Sequence, residues 1–168
     1  MRTLPLALRG YLWVLYVACT LLVAIQVATF TTWRPAWGSA LVMLEGVAVF
    51  TLLAYAGQRT QLQVSGSVSE TLGTAVHIAA ILLFPPPFPV LIALMGALSS
   101  QILHVAGAPL YKRAFNICHP TLTVGLSGFV CSLVVVPTTL LRPGHILPVL
   151  PILALLIAVY YILDVGTM

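Results

Sequence analysis

Residues 70–105 read ETLGTAVHIAAILLFPPPFPVLIALMGALSSQILHV, two apolar runs separated by three consecutive prolines. The prolines at positions 85 to 87 end a helix, because each lacks an amide proton and restricts the residue before it. The stretch therefore predicts a helical hairpin, with one segment over Glu70 to Phe84 and another over Pro89 to Val105. The first segment is shorter than the ~20 residues that a membrane-crossing helix needs. Two alternatives remain for it: crossing with little tilt, or entering the membrane and returning.

Apolar segments flank the hairpin on both sides. Before it, we predict helices from about Gly10 to Thr31 and from about Ala36 to Gly57. After it, we predict helices from about Ala114 to Val136 and from Pro148 nearly to the last residue. The first is interpreted as a retained helix and not a signal peptide, because its apolar run is long and no small-residue cleavage site is evident. Alternating polar and apolar residues over Gln58 to Ser69 favour a short extended segment or an interfacial loop.

The composition identifies lipid as the solvent of this chain. Of 168 residues, 61% are hydrophobic and 6% are charged, whereas soluble domains have about 45–50% apolar and about 25% charged residues. Three acidic and seven basic residues cannot give a globular domain a polar shell. We predict an all-α fold, a polytopic transmembrane helical bundle of about six hydrophobic segments that forms one integral membrane domain over residues 1–168. Because the last segment is still apolar near its end, we expect a chain truncated at the carboxyl end.

The basic residues predict which helix ends face the cytoplasm. In the predicted topology one side of the membrane holds Arg2, Arg9, Arg59, Lys112 and Arg113, and the other holds Arg34 and Arg142. Because loops rich in Lys and Arg stay inside, we expect a cytoplasmic amino terminus. The net charge of +4 indicates contact with an anionic lipid bilayer. We predict no nucleic-acid binding, because no basic cluster has more than two members.

Polar side chains inside the apolar segments are the candidate functional residues. An ionisable group near mid-membrane costs at least about 2.5–3.5 kcal/mol and usually faces the bundle interior. The candidates for a ligand-binding site or a polar bundle interior are Glu45, His77, His104, Asn116 and His119. For Glu45 the functional interpretation is a protonatable or cation-binding group in a polar cavity. The structural alternative is a neutral carboxyl group hydrogen-bonded to a neighbouring helix.

The histidines have two interpretations. Two imidazoles that face each other across helices would suit a haem or a metal ion, but no pair has i, i+4 spacing and no acidic residue lies beside any of them. We therefore predict no metal site and no cofactor. Asn116 and His119 share a helix face, and Pro120 weakens the helix just beyond them. They form either a ligand site or hinge, or a polar contact between helices, and we expect them to face the hairpin near His104.

The three cysteines lie inside apolar segments. Cys19, Cys118 and Cys131 are odd in number and show no CxxC spacing. We predict that they are buried as small apolar side chains and form neither a disulfide nor a metal site.

Several features together resemble the membrane-embedded sensor modules of bacterial signalling proteins, which precede HD-GYP phosphodiesterase or GGDEF diguanylate cyclase output domains. The resemblance covers roughly Leu41 to the end of the chain. It rests on the stretch Val68 to Glu70, the proline-turned hairpin, the stretch Lys112 to Asn116 and the stretch Tyr160 to Asp164. It implies a multi-pass sensory or anchoring module in the bacterial inner (plasma) membrane, without catalysis of its own. The output domain is absent from this sequence, so the implied partners are a cytoplasmic output domain or a second copy in a homodimer.

Two other function classes are compatible with the residues. Short proline-interrupted helices with polar groups near the midplane are typical of small-molecule transporters or their membrane substrate-binding subunits. A membrane enzyme would need a site such as Ser99 and Ser100 near His104, or Glu70 near His77. No HExxH, GxSxG or paired-carboxylate motif is present, so we predict that the chain is not an enzyme.

Overall fold

The structure is a computed structural model that describes residues 5–32, 37–58, 60–65, 68–104, 107–134 and 146–166. Its fold is α-helical, as the composition predicts. The helices in chain order are α1 Leu6–Thr32, α2 Trp37–Gly57, α3 Leu72–Leu83, α4 Phe88–His104, α5 Leu110–Val134 and α6 Ile146–Gly166. Two short strands, β1 Gln61–Ser65 and β2 Val68–Thr71, lie between α2 and α3.

Three of the described helices are long and apolar enough to cross a membrane. Their apolar stretches are Leu6–Ala28 in α1, Ala40–Gly57 in α2 and Leu110–Leu133 in α5. The 12 residues of α3 extend for about 18 Å at 1.5 Å per residue, which is well short of the ~30 Å of hydrocarbon in a bilayer. The predicted apolar segments therefore correspond to six helices in the described residues. Three of these helices are long and apolar enough to cross a membrane completely.

The polar link before the hairpin is extended, as its alternating pattern predicts. β1 and β2 pair antiparallel, with Leu62 opposite Glu70 and Gln63 opposite Ser69. The sequence placed Glu70 in the first turn of the next helix, and this prediction is wrong, because α3 begins at Leu72. Pairing with β1 satisfies backbone groups on β2 that a helix start would leave without partners.

The α3–α4 hairpin lies between two groups of helices and supplies side chains to both cores. One core joins the hairpin to α2 and contains Ala54, Ala80, Phe84, Phe88 and Ile92. The other joins it to α5 and α6 and contains Ile81, Ala93, Val124, Cys131, Leu156 and Tyr160. The predicted proline-turned hairpin is thus central to the bundle, because it packs against α2 in one core and against α5 and α6 in the other.

Close contacts at two glycines of α2 define how the hairpin is aligned along that helix. A Cβ atom at Gly57, the end of α2, would lie 2.7 Å from the backbone nitrogen of Gly73. At the other end of α3, the Phe84 ring lies 3.0 Å from the position of a Cβ at Gly46. The two helices are therefore antiparallel, and the proline turn comes level with the middle of α2. This geometry favours the alternative in which the hairpin enters and returns.

Helix α1 packs along α5 in the same direction. Tyr11 lies beside Phe115, with ring centroids 6.5 Å apart. Farther along both helices, the Leu22 side chain occupies the space that a Cβ at Gly125 would need. Because later positions on α1 meet later positions on α5, both helices begin at the same side of the bundle.

Candidate functional site

The first polar centre of the bundle is His77, which lies on α3 and is only 3% exposed. Its Nδ1 atom is 3.1 Å from the hydroxyl oxygen of Tyr160 on α6. Its Nε2 atom is buried and has no hydrogen-bond partner. In either tautomer a buried imidazole with one unsatisfied nitrogen costs about 1–3 kcal/mol, and the contact with Tyr160 satisfies only the other nitrogen.

The second polar centre lies where α5 meets the end of α6. The Nε2 atom of His119 is 3.1 Å from the backbone carbonyl oxygen of Asp164, and since a carbonyl can only accept, Nε2 carries the proton. Its Nδ1 atom is 3.7 Å from a carboxylate oxygen of the same aspartate. The ring also stacks on Phe115 at 5.4 Å.

The two histidine contacts reach the same face of one helix. Tyr160 and Asp164 are four residues apart on α6, so their side chains lie one turn apart on one side. Tyr160 is held from α3 and Asp164 is held from α5. The position of α6 therefore depends on how α3 and α5 sit relative to each other.

Asn116 contacts the hairpin, as expected, but through a residue that the sequence reasoning did not name. Its amide nitrogen donates to the side-chain oxygen of Gln101 on α4 over 3.4 Å. Gln101 is 8% exposed, whereas Asn116 is an exposed residue and so lies at the edge of the polar interior. His119 was also expected to face the hairpin. It is instead bonded to the end of α6, through the backbone carbonyl oxygen of Asp164.

The prediction for Glu45 is wrong in this structure, because its side chain is exposed on the outer face of α2. The neighbouring Gly46 occupies the inward position, where the Phe84 ring packs against it. Adjacent helical positions are about 100° apart, so Glu45 is turned outward among Leu41, Val42 and other exposed apolar residues. His104 ends α4, and its side chain lies outside the described residues.

Several polar residues of the interior escaped the sequence reasoning. Ser127 on α5 is fully buried and its hydroxyl has no hydrogen-bond partner. Thr121, also buried, donates to the Ile117 carbonyl oxygen over 2.7 Å. The i, i+4 spacing of Tyr160 and Asp164 was the one signal in the sequence that could have pointed to the contacts of α6. No three His, Cys, Asp or Glu side chains in the described residues are grouped as metal ligands.

Two cavities open beside α5. One of about 290 Å³ lies near the proline turn and is lined mostly by apolar residues of α1, α4 and α5, with Gln26 and Ser132 as polar members. The other, of about 340 Å³, lies between the first turns of α1 and α5. Its walls include Tyr11, Phe115 and the exposed Lys112, so it combines an aromatic pocket with one positive charge.

Comparisons of the chain with protein-family models, curated proteins and solved structures find no match. The arrangement of the polar contacts around α6 is therefore the basis for assigning a function.

Proposed function

We propose that this chain is a membrane-embedded sensory or anchoring module of a bacterial signalling protein, with no catalysis of its own. In this proposal the chain lies in the bacterial inner membrane, and its amino terminus is on the cytoplasmic side. The single observation that carries it is the double attachment of α6, by His77 from the hairpin and by His119 from α5. The resemblance of the hairpin and of the Lys112–Asn116 stretch to bacterial sensor modules supports the same function.

The mechanism follows from the position of α6 between two independent contacts. A signal that shifts the hairpin changes the distance from His77 to the Tyr160 hydroxyl, while His119 continues to hold Asp164 one turn away. Helix α6 then rotates or slides between two packed positions, because packed interfaces switch between discrete arrangements instead of deforming smoothly. A cytoplasmic output domain or a second copy of the chain would read that movement.

The test is a chimera in which the chain is followed, after Met168, by a diguanylate cyclase domain. We expect Tyr160→Phe to change the cyclase activity in membranes by at least severalfold, because the substitution removes the hydroxyl that meets His77. The matched control is Tyr161→Phe, since Tyr161 is the next residue and its side chain is exposed. Equal activity in all three chimeras, at equal membrane levels, would contradict a role of α6 in signalling.

A transporter function has one observation in its favour. The cavity of about 290 Å³ near the proline turn is partly polar and lies between helices, where transporters place their substrates. Gly128 lines this cavity, so Gly128→Leu should fill part of it. Loss of solute uptake by vesicles with this variant, with unchanged cyclase activity of the chimera, would select the transporter.

A further inference from the structure

Two cysteines from different helices meet at the interface of α1 and α5. Cys19 of α1 is 5% exposed and Cys118 of α5 is half-buried. Their thiols lie within interaction distance of each other. The sequence predicted three separate apolar side chains, because residues so far apart in the chain carry no signal of their proximity.

Independent contacts on both sides of the two cysteines hold α1 against α5. Before Cys19, the Tyr16 hydroxyl donates to the carbonyl oxygen of Tyr111 on α5 over 2.8 Å. After it, the Leu22 side chain packs into the space beside Gly125. The sliding of α1 along α5 is therefore restricted at two points that bracket the cysteine pair.

Cys131 provides an internal comparison. It also lies on α5, but its neighbours are the apolar core residues of the hairpin and α6. A buried free cysteine usually serves as a small apolar side chain, and Cys131 fits that description. Cys19 and Cys118 differ from it because each has a second thiol as its partner.

We propose that Cys19 and Cys118 form a reversible disulfide that locks α1 to α5, made by exchange with an apolar disulfide compound. Cys118 reacts first, because it is the more exposed of the two. Its sulfur, as the thiolate, attacks one sulfur of the compound, whose S–S bond breaks and releases one thiol. The Cys19 sulfur then attacks the mixed disulfide and displaces the second thiol. Two protein thiols and one external disulfide thus become one protein disulfide and two external thiols, with the protons transferred to the leaving sulfurs.

A neutral disulfide suits this place in the bundle. Bridge formation replaces two thiols by an uncharged S–S bond of about 2.05 Å, so no charge is buried among apolar side chains. The bond would fix α1 to the helix that also carries His119. If α6 carries the signal as proposed above, oxidation would restrict the movement of α5 relative to α1, and α5 is one of the two helices that hold α6.

The probe is 4,4′-dithiodipyridine, a membrane-permeant disulfide, added to the intact protein in detergent. For the Cys131→Ser variant we expect two thiopyridones to be released per chain and no pyridyl label to remain on the protein by mass spectrometry. Cys118→Ser in the same background should release one thiopyridone from Cys19 or none, and any label should stay on. Two retained labels in the Cys131→Ser protein would overturn the proposal, as would an unmodified protein that releases no thiopyridone.

A second measurement does not depend on cysteine substitutions. With a protease site inserted between Thr32 and Trp37, cleavage separates α1 from the rest of the chain. After treatment with the probe, the two fragments should run together on a non-reducing denaturing gel and separate when dithiothreitol is added. Fragments that separate without reductant would show that no bridge joins α1 to α5.

Discussion

At the scale of single residues, exposure separates Glu45 from the buried histidines. The polarity of Glu45 was a good reason to expect it inside the bundle, since a carboxyl group in lipid is costly. The space beside α2 is nevertheless filled by the hairpin, which approaches through Gly46. Close backbone approach requires small residues on the inward face, and the adjacent carboxylate is turned outward as a result.

This outward position can be tested by comparing neighbouring substitutions. Glu45→Leu should change the free energy of unfolding in detergent by no more than about 0.5 kcal/mol, since exposed positions tolerate substitution. Gly46→Leu should reduce it by about 1–3 kcal/mol, because the new side chain collides with the Phe84 ring and overpacks the core. Denaturant titration of both variants provides the measurement. A larger loss for Glu45→Leu than for Gly46→Leu would place Glu45 in the interior.

At the scale of elements, the hairpin is defined by its prolines and positioned by glycines. Helix α3 ends before Pro85, and Phe88 begins α4, as three prolines in sequence require. The contact of the hairpin with α2 is not determined by the prolines. It depends on the close approach of Gly57 to Gly73 across the interface. Nothing in the local sequence pairs these two glycines, since either could equally mark a helix end or a loop.

We expect Gly57→Ala to destabilise the protein by about 1–3 kcal/mol, because the new methyl group would clash with the backbone of α3. No side-chain rotation can relieve this clash, since the atoms that it meets belong to the backbone. The control is Gly10→Ala on α1, where a Cβ would meet no atom within 4 Å. That change should stabilise the helix by about 0.5–1 kcal/mol, since alanine is the better helix former. Thermal unfolding in detergent measures both. If the two variants shift the unfolding temperature equally, α2 and α3 are not in close contact at Gly57.

At the scale of the whole molecule, the parallel packing of α1 and α5 places the starts of both helices at the same side of the bundle. Arg9 near the start of α1 and the pair Lys112 and Arg113 at the start of α5 lie toward the same side of the bundle, because both helices run in one direction. This arrangement agrees with the charge distribution that predicts a cytoplasmic amino terminus. It holds whether the hairpin crosses the membrane or returns.

Reporter fusions test this orientation in cells. Alkaline phosphatase joined after Gly107 should be inactive, because the start of α5 is expected on the cytoplasmic side, and green fluorescent protein joined there should fluoresce. The same phosphatase joined after Arg142 should be active. Phosphatase activity after Gly107 with none after Arg142 would reverse the proposed orientation.

The sequence by itself predicted the helical fold, the presence of helices apolar enough to cross a membrane and the proline-turned hairpin. These features depend on composition and on local chemistry: apolar runs prefer lipid, and consecutive prolines end a helix wherever they stand. It also named His77, His119 and Asn116 as polar residues within apolar segments. Their partners, Tyr160, Asp164 and Gln101, came from the tertiary structure.

Only the tertiary structure decided which side of each helix faces inward and which distant residues meet. Helix α2 is apolar on nearly every face, so its pattern contains no information about its rotation, and the position of Glu45 could not be derived from it. In the same way, Cys19 and Cys118 are brought together by the packing of α1 on α5, a contact between segments far apart in the chain. The physical reason is that lipid and protein interior are both apolar, so hydrophobicity identifies a membrane helix but leaves its neighbours to be selected by shape and by buried polar contacts.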